Sequence, residues 1–322
     1  MRSSISNSDL GRGLAAAILR RSAITLLVSA IILIAIFEFG TRSIVYRVSK
    51  NLSRIHREAL SASQISGEGG GRQQVLLVGN SLLLHDVDIG QLERGLLPNQ
   101  NAKQFAIQAT TYYDWYYGVR GLLAEGSRPD LIVVCLEARH ILLSSVRSEI
   151  FAYYLMQWRD LFDVRRSLKL SPAETFDLLL ANISNLYALR KEMRQVLLQR
   201  ILPDLPQLTT MIARAPKPLP DPVALRTIGK DRMVAFQELV VGSGTLLLLL
   251  LMPPIQSDAL EAVREVGREI GMPVLTPLAL DDITDNDYQA DGYHLNQQGR
   301  EKFTKALLPL LAQLQTSEDS LN

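Results

Sequence analysis

Two short stretches of the chain hold residue types able to move a proton and attack a carbonyl. In QVLLVGNSLLLHDVDI, residues 74–89, Ser81 follows an apolar run that ends in Gly79 and Asn80. In ADGYHLNQQGREKF, residues 290–303, Asp291 and His294 stand three apart, ahead of Asn296, Gly299 and an apolar helical stretch. A serine hydroxyl is a weak nucleophile until a neighbouring base takes its proton, and an imidazole does that best when a carboxylate orients it. Ser81, His294 and Asp291 are of the right types for nucleophile, base and orienting acid. On its own, GNS is also an ordinary turn and helix cap. The second stretch is what supplies Ser81 with a partner.

These groups act together only if the fold gathers them. VLLVG (75–79), DLIVVCLE (130–137) and TLLLLLLM (245–252) are apolar runs without alternation, the pattern of strands buried on both faces. A weaker strand is predicted near 105–107, and PVLT (273–276) closes the set. Helical stretches separate these runs, so the predicted fold is α/β, a doubly wound five-stranded parallel sheet of flavodoxin-like type. Such sheets bind ligands at the C-terminal ends of their strands, and Ser81 falls two residues past the first. Residues 141–243 are too many for one crossover and must be an insertion between strands 3 and 4. Much of it reads as helix, with Ser171 as N-cap, Pro172 at the first helical position and Glu174 completing a capping box. A proline-rich extended loop is predicted at 202–223.

A strand leading into GNS near one end, and the DxxH of DGYHLN followed by a small loop and a helix near the other, resemble the SGNH/GDSL hydrolase superfamily. The resemblance covers residues 73–138 and 244–312; the insertion has no counterpart. It implies Ser81 as nucleophile, His294 as base and Asp291 as acid; no cofactor is expected. It also implies two further oxyanion donors, a glycine after the second strand and an asparagine after the third. Here Asn80 stands where the family most often has Asp, and Ala109 lies near the glycine position. Arg139 falls at the asparagine, with His140 just after. The Ala109 N–H can donate if the turn tolerates a methyl group. Arg139 can replace the lost donor with a charge, bind an anionic sugar, or pair with Glu137. A missing donor typically costs ~100-fold to 1,000-fold in rate.

Other chemically capable residues have plainer roles. His85 and Asp86 suit a rim or capping position, His56 a solvated stalk, and YYDWYYG (112–118) either a sugar-stacking wall or core packing. Four scattered histidines and the lone Cys135 offer no metal-ligand spacing. GEGGG precedes a strand instead of following one, which excludes a phosphate-binding loop. With 34 basic and 33 acidic residues nothing points to nucleic acid.

Residues 22–37 carry no charge and follow Arg20 and Arg21. Extended to residue 40, with Glu38 snorkelling, the run approaches the ~20 residues that cross a bilayer, and is long for a cleaved signal. Basic residues flank it on both sides, so charge bias sets no orientation. The predicted organisation is a tail (1–21), an anchor (22–40), a stalk and glycine-rich linker (41–72), an α/β domain (73–316) with its insertion, and a tail (317–322). The expected protein is a single-pass cytoplasmic-membrane serine esterase or O-acyltransferase with its domain outside the cytoplasm. Its expected substrate carries acyl groups, O-acetyl above all, on a cell-surface polysaccharide. The alternative is a degenerate SGNH-like binding or scaffold component of an envelope assembly, partnered by other envelope proteins.

Overall fold

The computed structural model of the protein describes residues 7–67, 71–202 and 218–319. Its centre is a five-stranded, wholly parallel sheet in the order β2-β1-β3-β4-β5. The strands are β1 (Gln73–Gly79), β2 (Gln100–Ala106), β3 (Leu131–Leu136), β4 (Leu246–Leu251) and β5 (Val274–Leu275). This is the doubly wound α/β architecture, with a switch point between β1 and β3 where successive connections leave in opposite directions. The strands of β1 explain the unalternating sequence. Val75 and Leu77 pack on one face with α3 (Ser81–Asp86), α4 (Ile89–Leu96) and the C-terminal α13 (Gln297–Asp319). Leu76 and Val78 pack on the other with α5 (Tyr112–Ala124) and the insertion. Gly79 is required at the crossing: a Cβ there would stand 2.6 Å from the carbonyl oxygen of Cys135 on β3.

β2 is longer than the stretch near 105–107 that the sequence suggests, and β5 is only two residues long. Aromatic residues 112–118 belong to α5, where Tyr112, Trp115 and Tyr117 are buried core and not a sugar-stacking wall.

The N-terminal region departs most from expectation. α1 runs from Asn7 to Val48, taking in much of the predicted tail and part of the predicted stalk. Within it, Leu19–Val48 is long and apolar enough to cross a membrane, with a mean hydropathy of 2.4 and none of its most apolar window buried. Length and composition of this kind belong to membrane spans and signal sequences alike. Ser49 leaves the helical conformation and its hydroxyl caps α2 (Lys50–Ser63) by accepting from Leu52 N at 3.2 Å.

α2 is no stalk, and the folded unit begins well before Gln73. Leu52, Ile55 and Ala62 are buried. Across the edge of β2, Arg54 donates to the Ala106 carbonyl (2.8 Å) and Glu58 accepts from the Ala106 N–H (2.9 Å). Between them these side chains satisfy both backbone groups of Ala106, at the open edge of the sheet. His56 is likewise half-buried: its ring stacks on Tyr46 at 4.4 Å, and burial, with the nearby Arg42 charge, pulls its pKa down.

The insertion follows β3 as α6 (Ala138–Leu142), α7 (Ser148–Tyr154), α8 (Leu161–Leu168), α9 (Pro172–Ile183) and α10 (Asn185–Ile201). The capping box at Ser171 and Glu174 forms as the sequence indicates. Residues 203–217, most of the predicted proline-rich loop, lie outside the described residues, as do 68–70 of the glycine-rich linker. The chain returns through a helix ending in α11 (Lys230–Val241), and α12 (Ser257–Ile270) joins β4 to β5.

Candidate functional site

Ser81, His294 and Asp291 meet at the C-terminal edge of the sheet. Ser81 is the first residue of α3, directly past β1. Asn80 caps that helix, its Oδ1 accepting from Leu82 N at 3.0 Å. His294 Nε2 lies 2.9 Å from Ser81 Oγ, and His294 Nδ1 lies 2.7 Å from Asp291 Oδ2. With the carboxylate accepting from Nδ1–H, Nε2 is left as the acceptor facing the serine hydroxyl. Asp291 Oδ1 accepts the backbone N–H groups of Tyr293 (2.9 Å) and His294 (3.1 Å), closing a tight loop with Gly292 at φ +65°. Burial alone would raise the Asp291 pKa. The hydrogen bonds from the His294 ring and from the two backbone N–H groups outweigh it and hold the carboxyl below its usual range.

Three ties hold the His294 loop to the sheet. Leu295 N donates to Asp86 Oδ1 at 2.8 Å, from the far end of the helix that begins with Ser81. Tyr293 Oη donates to Glu137 Oε2 at 2.7 Å, at the end of β3. Asn296 caps α13 by accepting from Gly299 N, and a Cβ at Gly299 would lie 2.4 Å from the Asp287 carbonyl oxygen. Asp86 is fully buried, and among the described residues its Oδ2 has no partner. Burial raises its pKa well above the ordinary carboxylate value. Asp86 is therefore a buried crossbar and not the rim residue its sequence position suggests. His85 packs its ring 4.8 Å from that of His294, and burial followed by the His294 charge lowers its pKa.

Ala109, after β2, has φ +58°, the left-handed region where glycine is at ease and alanine is strained. The loop thus keeps the backbone shape a glycine serves, with a methyl group in place. Asn80 fastens this loop: its Nδ2 donates to the Thr110 carbonyl at 3.1 Å.

Arg139 does not act as a free charge at the sheet edge. Its Nε donates to Glu137 Oε2 (2.7 Å) and its Nη2 to Tyr293 Oη (3.0 Å), so it neutralises a buried carboxylate. Its neighbour His140 is the residue that enters the site. His140 Nδ1 lies 3.2 Å from Asn80 Nδ2, and its Nε2 lies 3.4 Å from Arg139 Nη2. Asn80 thereby links the loops after β1, β2 and β3. The sequence brought attention to Arg139 because one residue decides which side of a short turn faces the site.

A cleft of about 440 Å³ opens beside the Asp291 loop, lined by Pro253, Pro254, Ile255, Tyr288, Ala290 and Gly292 among others. Ser81, His294 and Asp291 are not among the residues that line it. A larger cavity of about 650 Å³, between α12 and β5, includes Arg264 and Arg268 and likewise none of Ser81, His294 and Asp291. Among the described residues, no three His, Cys, Asp or Glu side chains group as a metal site needs.

The arrangement can deprotonate Ser81 as it attacks an acyl carbonyl, with His294 carrying the proton to the leaving group. No protein-family model and no curated protein matches the sequence. Among solved structures, the chain is similar to one described as a crystal structure of TesA, at 15% identity and a TM-score of 0.38, with 74% of this chain and 98% of that chain covered.

Proposed function

We propose that the protein is a membrane-anchored serine esterase or O-acyltransferase acting on acyl groups of a cell-surface polysaccharide, O-acetyl esters above all. The observation that carries this reading is the continuous relay Ser81 Oγ–His294 Nε2 (2.9 Å) and His294 Nδ1–Asp291 Oδ2 (2.7 Å). In the proposed reaction Ser81 Oγ bonds to the acyl carbon while His294 takes the serine proton. The tetrahedral oxyanion draws on the backbone N–H groups of Ser81 and Ala109. Collapse expels the sugar or carrier oxygen, which takes the proton from His294 and leaves an acyl-serine. Water, or a second sugar hydroxyl, then attacks with His294 again as base. Asp291 stays ionised and steadies the imidazolium.

Support for the glycan substrate comes from the two motifs resembling the SGNH/GDSL superfamily together with an N-terminal apolar helix suited to an anchor. The same reading places the chain in the cytoplasmic membrane as a single-pass protein with its α/β domain outside. The test is acetyl release and acetyl transfer from O-acetylated oligosaccharides by the full-length protein in detergent. Turnover that disappears in Ser81→Ala supports the reading, and the balance of free acetate to acetylated acceptor separates esterase from transferase. Equal turnover by wild type and Ser81→Ala removes it.

A further inference from the structure

We propose that the helical insertion is a second membrane contact, its face of Trp158, Phe162, Phe176 and Ile183 lying in the interfacial layer of the bilayer that α1 crosses. The inference rests on α1 being a span. It concerns a region apart from the sheet edge and its three reactive residues.

Glu38 fixes the depth. It is the first charge after the uncharged residues 22–37, so it marks where the apolar segment meets the headgroup layer. Its carboxylate is not left to snorkel alone. It accepts from Ser184 Oγ (2.8 Å), from the backbone and side-chain nitrogens of Asn185, and from Leu186 N (3.2 Å). The N-terminal turn of α10 therefore sits at the level where the apolar segment ends. Ile183, one residue earlier, is carried to the same level.

The next hydrogen bonds tie the approach to α8 to the end of α9. Asn182 Nδ2 donates to the carbonyls of Ala152 (2.7 Å) and Met156 (2.9 Å), so the chain leading into Trp158 abuts the end of α9. Phe176 and Ile183 are seven apart on α9 and share one side of it. Trp158 and Phe162 are four apart where the chain enters α8. Their exposures are 69%, 73%, 57% and 67% for Trp158, Phe162, Phe176 and Ile183, high for large apolar side chains.

Charge argues for lipid in place of protein as the occupant. Arg159, Arg165, Arg166 and Lys169 are exposed in the stretch that carries Trp158 and Phe162, while Asp163 is held by Arg120 at 3.1 Å, and near Phe176 the exposed Glu174 and Asp177 are taken up by Ser171 and by the Tyr187 hydroxyl. Exposed Trp and Phe accompanied by free basic side chains, with the nearby acidic ones already bonded, are what an anionic membrane surface binds. Two anchoring points, the span and this face, fix how the α/β domain tilts above the bilayer.

The protein reports on itself, because it has only two tryptophans and Trp115 is fully buried in the core. Full-length wild type and Trp158→Phe, an exposed and benign change, are placed in vesicles of anionic phospholipid with or without acyl-chain bromine. Carbonate washing first reports whether α1 holds the chain in the bilayer. The expected result is retention of both proteins, with bromine removing most of the emission that distinguishes wild type from Trp158→Phe. Retention with an equal fractional loss in the two proteins overturns the docking face while leaving the span intact. Shielding of Trp158 from acrylamide without bromine quenching overturns it in favour of a second protein chain. Release by carbonate removes the span and this inference together.

Discussion

Asp86 Oδ1 accepts the backbone N–H of Leu295 at 2.8 Å, so the last residue of the helix that begins with Ser81 is bonded to the residue following His294. One buried carboxyl thus ties the Ser81 helix to the His294 loop across 209 residues of sequence. Replacing Asp86 with Ala leaves a buried N–H unsatisfied and should cost about 1–3 kcal/mol of stability. Because it also frees the His294 loop, turnover should fall. Asp86→Asn keeps an acceptor for Leu295 and should restore turnover, which a merely cavity-filling residue would not do.

The same residue gives a pH dependence of known sign. Burial raises the folded-state pKa of Asp86 well above its unfolded value. The folded protein then binds this proton more tightly than the unfolded chain. Its contribution is fully present below the unfolded carboxylate pKa and is lost as pH rises toward the folded one. Thermal unfolding of wild type and Asp86→Asn across that window should show wild type losing stability relative to the variant as pH rises. A constant difference between the two would show that Asp86 does not titrate there.

Ala109 holds φ +58° without being glycine. Ala109→Gly should remove backbone strain of about 1 kcal/mol and raise the unfolding temperature, offset in part by the greater freedom of glycine in the unfolded chain. Its N–H stays in place, so turnover should be kept. Ala109→Val, β-branched in a left-handed turn, should lower both stability and turnover, as thermal melts and ester kinetics would read out.

Arg139 and Glu137 form an ion pair at 2.7 Å with side-chain exposures of 16% and 4%. Removing one partner of so buried a pair strands a charge and typically costs about 3–5 kcal/mol. Arg139→Met should therefore destabilise strongly, and adding Glu137→Gln should recover a good part of the loss. If Arg139→Met is as stable as wild type in chemical unfolding, the pairing has no structural weight.

α2 bears on where the domain begins. Its Leu52 and Ile55 are buried, and Arg54 and Glu58 close the edge of β2. A fragment starting at residue 50 should unfold cooperatively, whereas one starting at Gln73 should expose the edge strand and aggregate. Light scattering and circular dichroism on the two fragments compare them directly.

These misplacements explain what the sequence reveals and what it hides. β1, β3 and β4 are legible because burial on both faces forces continuous apolar runs such as VLLVG and TLLLLLLM. β2 is obscured because Gln104 and Lys103 bond across the edge to Glu58 and to the Ser61 carbonyl, so a true strand looks polar. α2 looks like a stalk because its buried stripe includes the small Ala62, which carries little hydrophobic signal. The meeting of Ser81 with the Asp291–His294 pair follows from a shared sheet edge, which motif order already implies. His140 and Asp86 do not follow, since their roles depend on which way one turn faces and on a hydrogen bond between distant segments.

Activation of Ser81 by His294 can be read without the natural substrate. Full-length protein in detergent is treated with a fluorophosphonate, which needs an activated serine but no natural substrate, and the modified residue is located by mass spectrometry. The account predicts rapid labelling at Ser81 in wild type, a loss of roughly 10,000-fold or more in rate in His294→Ala, and a loss of about 10,000-fold in Asp291→Asn. Labelling of Ser81 at the same slow rate in wild type and His294→Ala would contradict it.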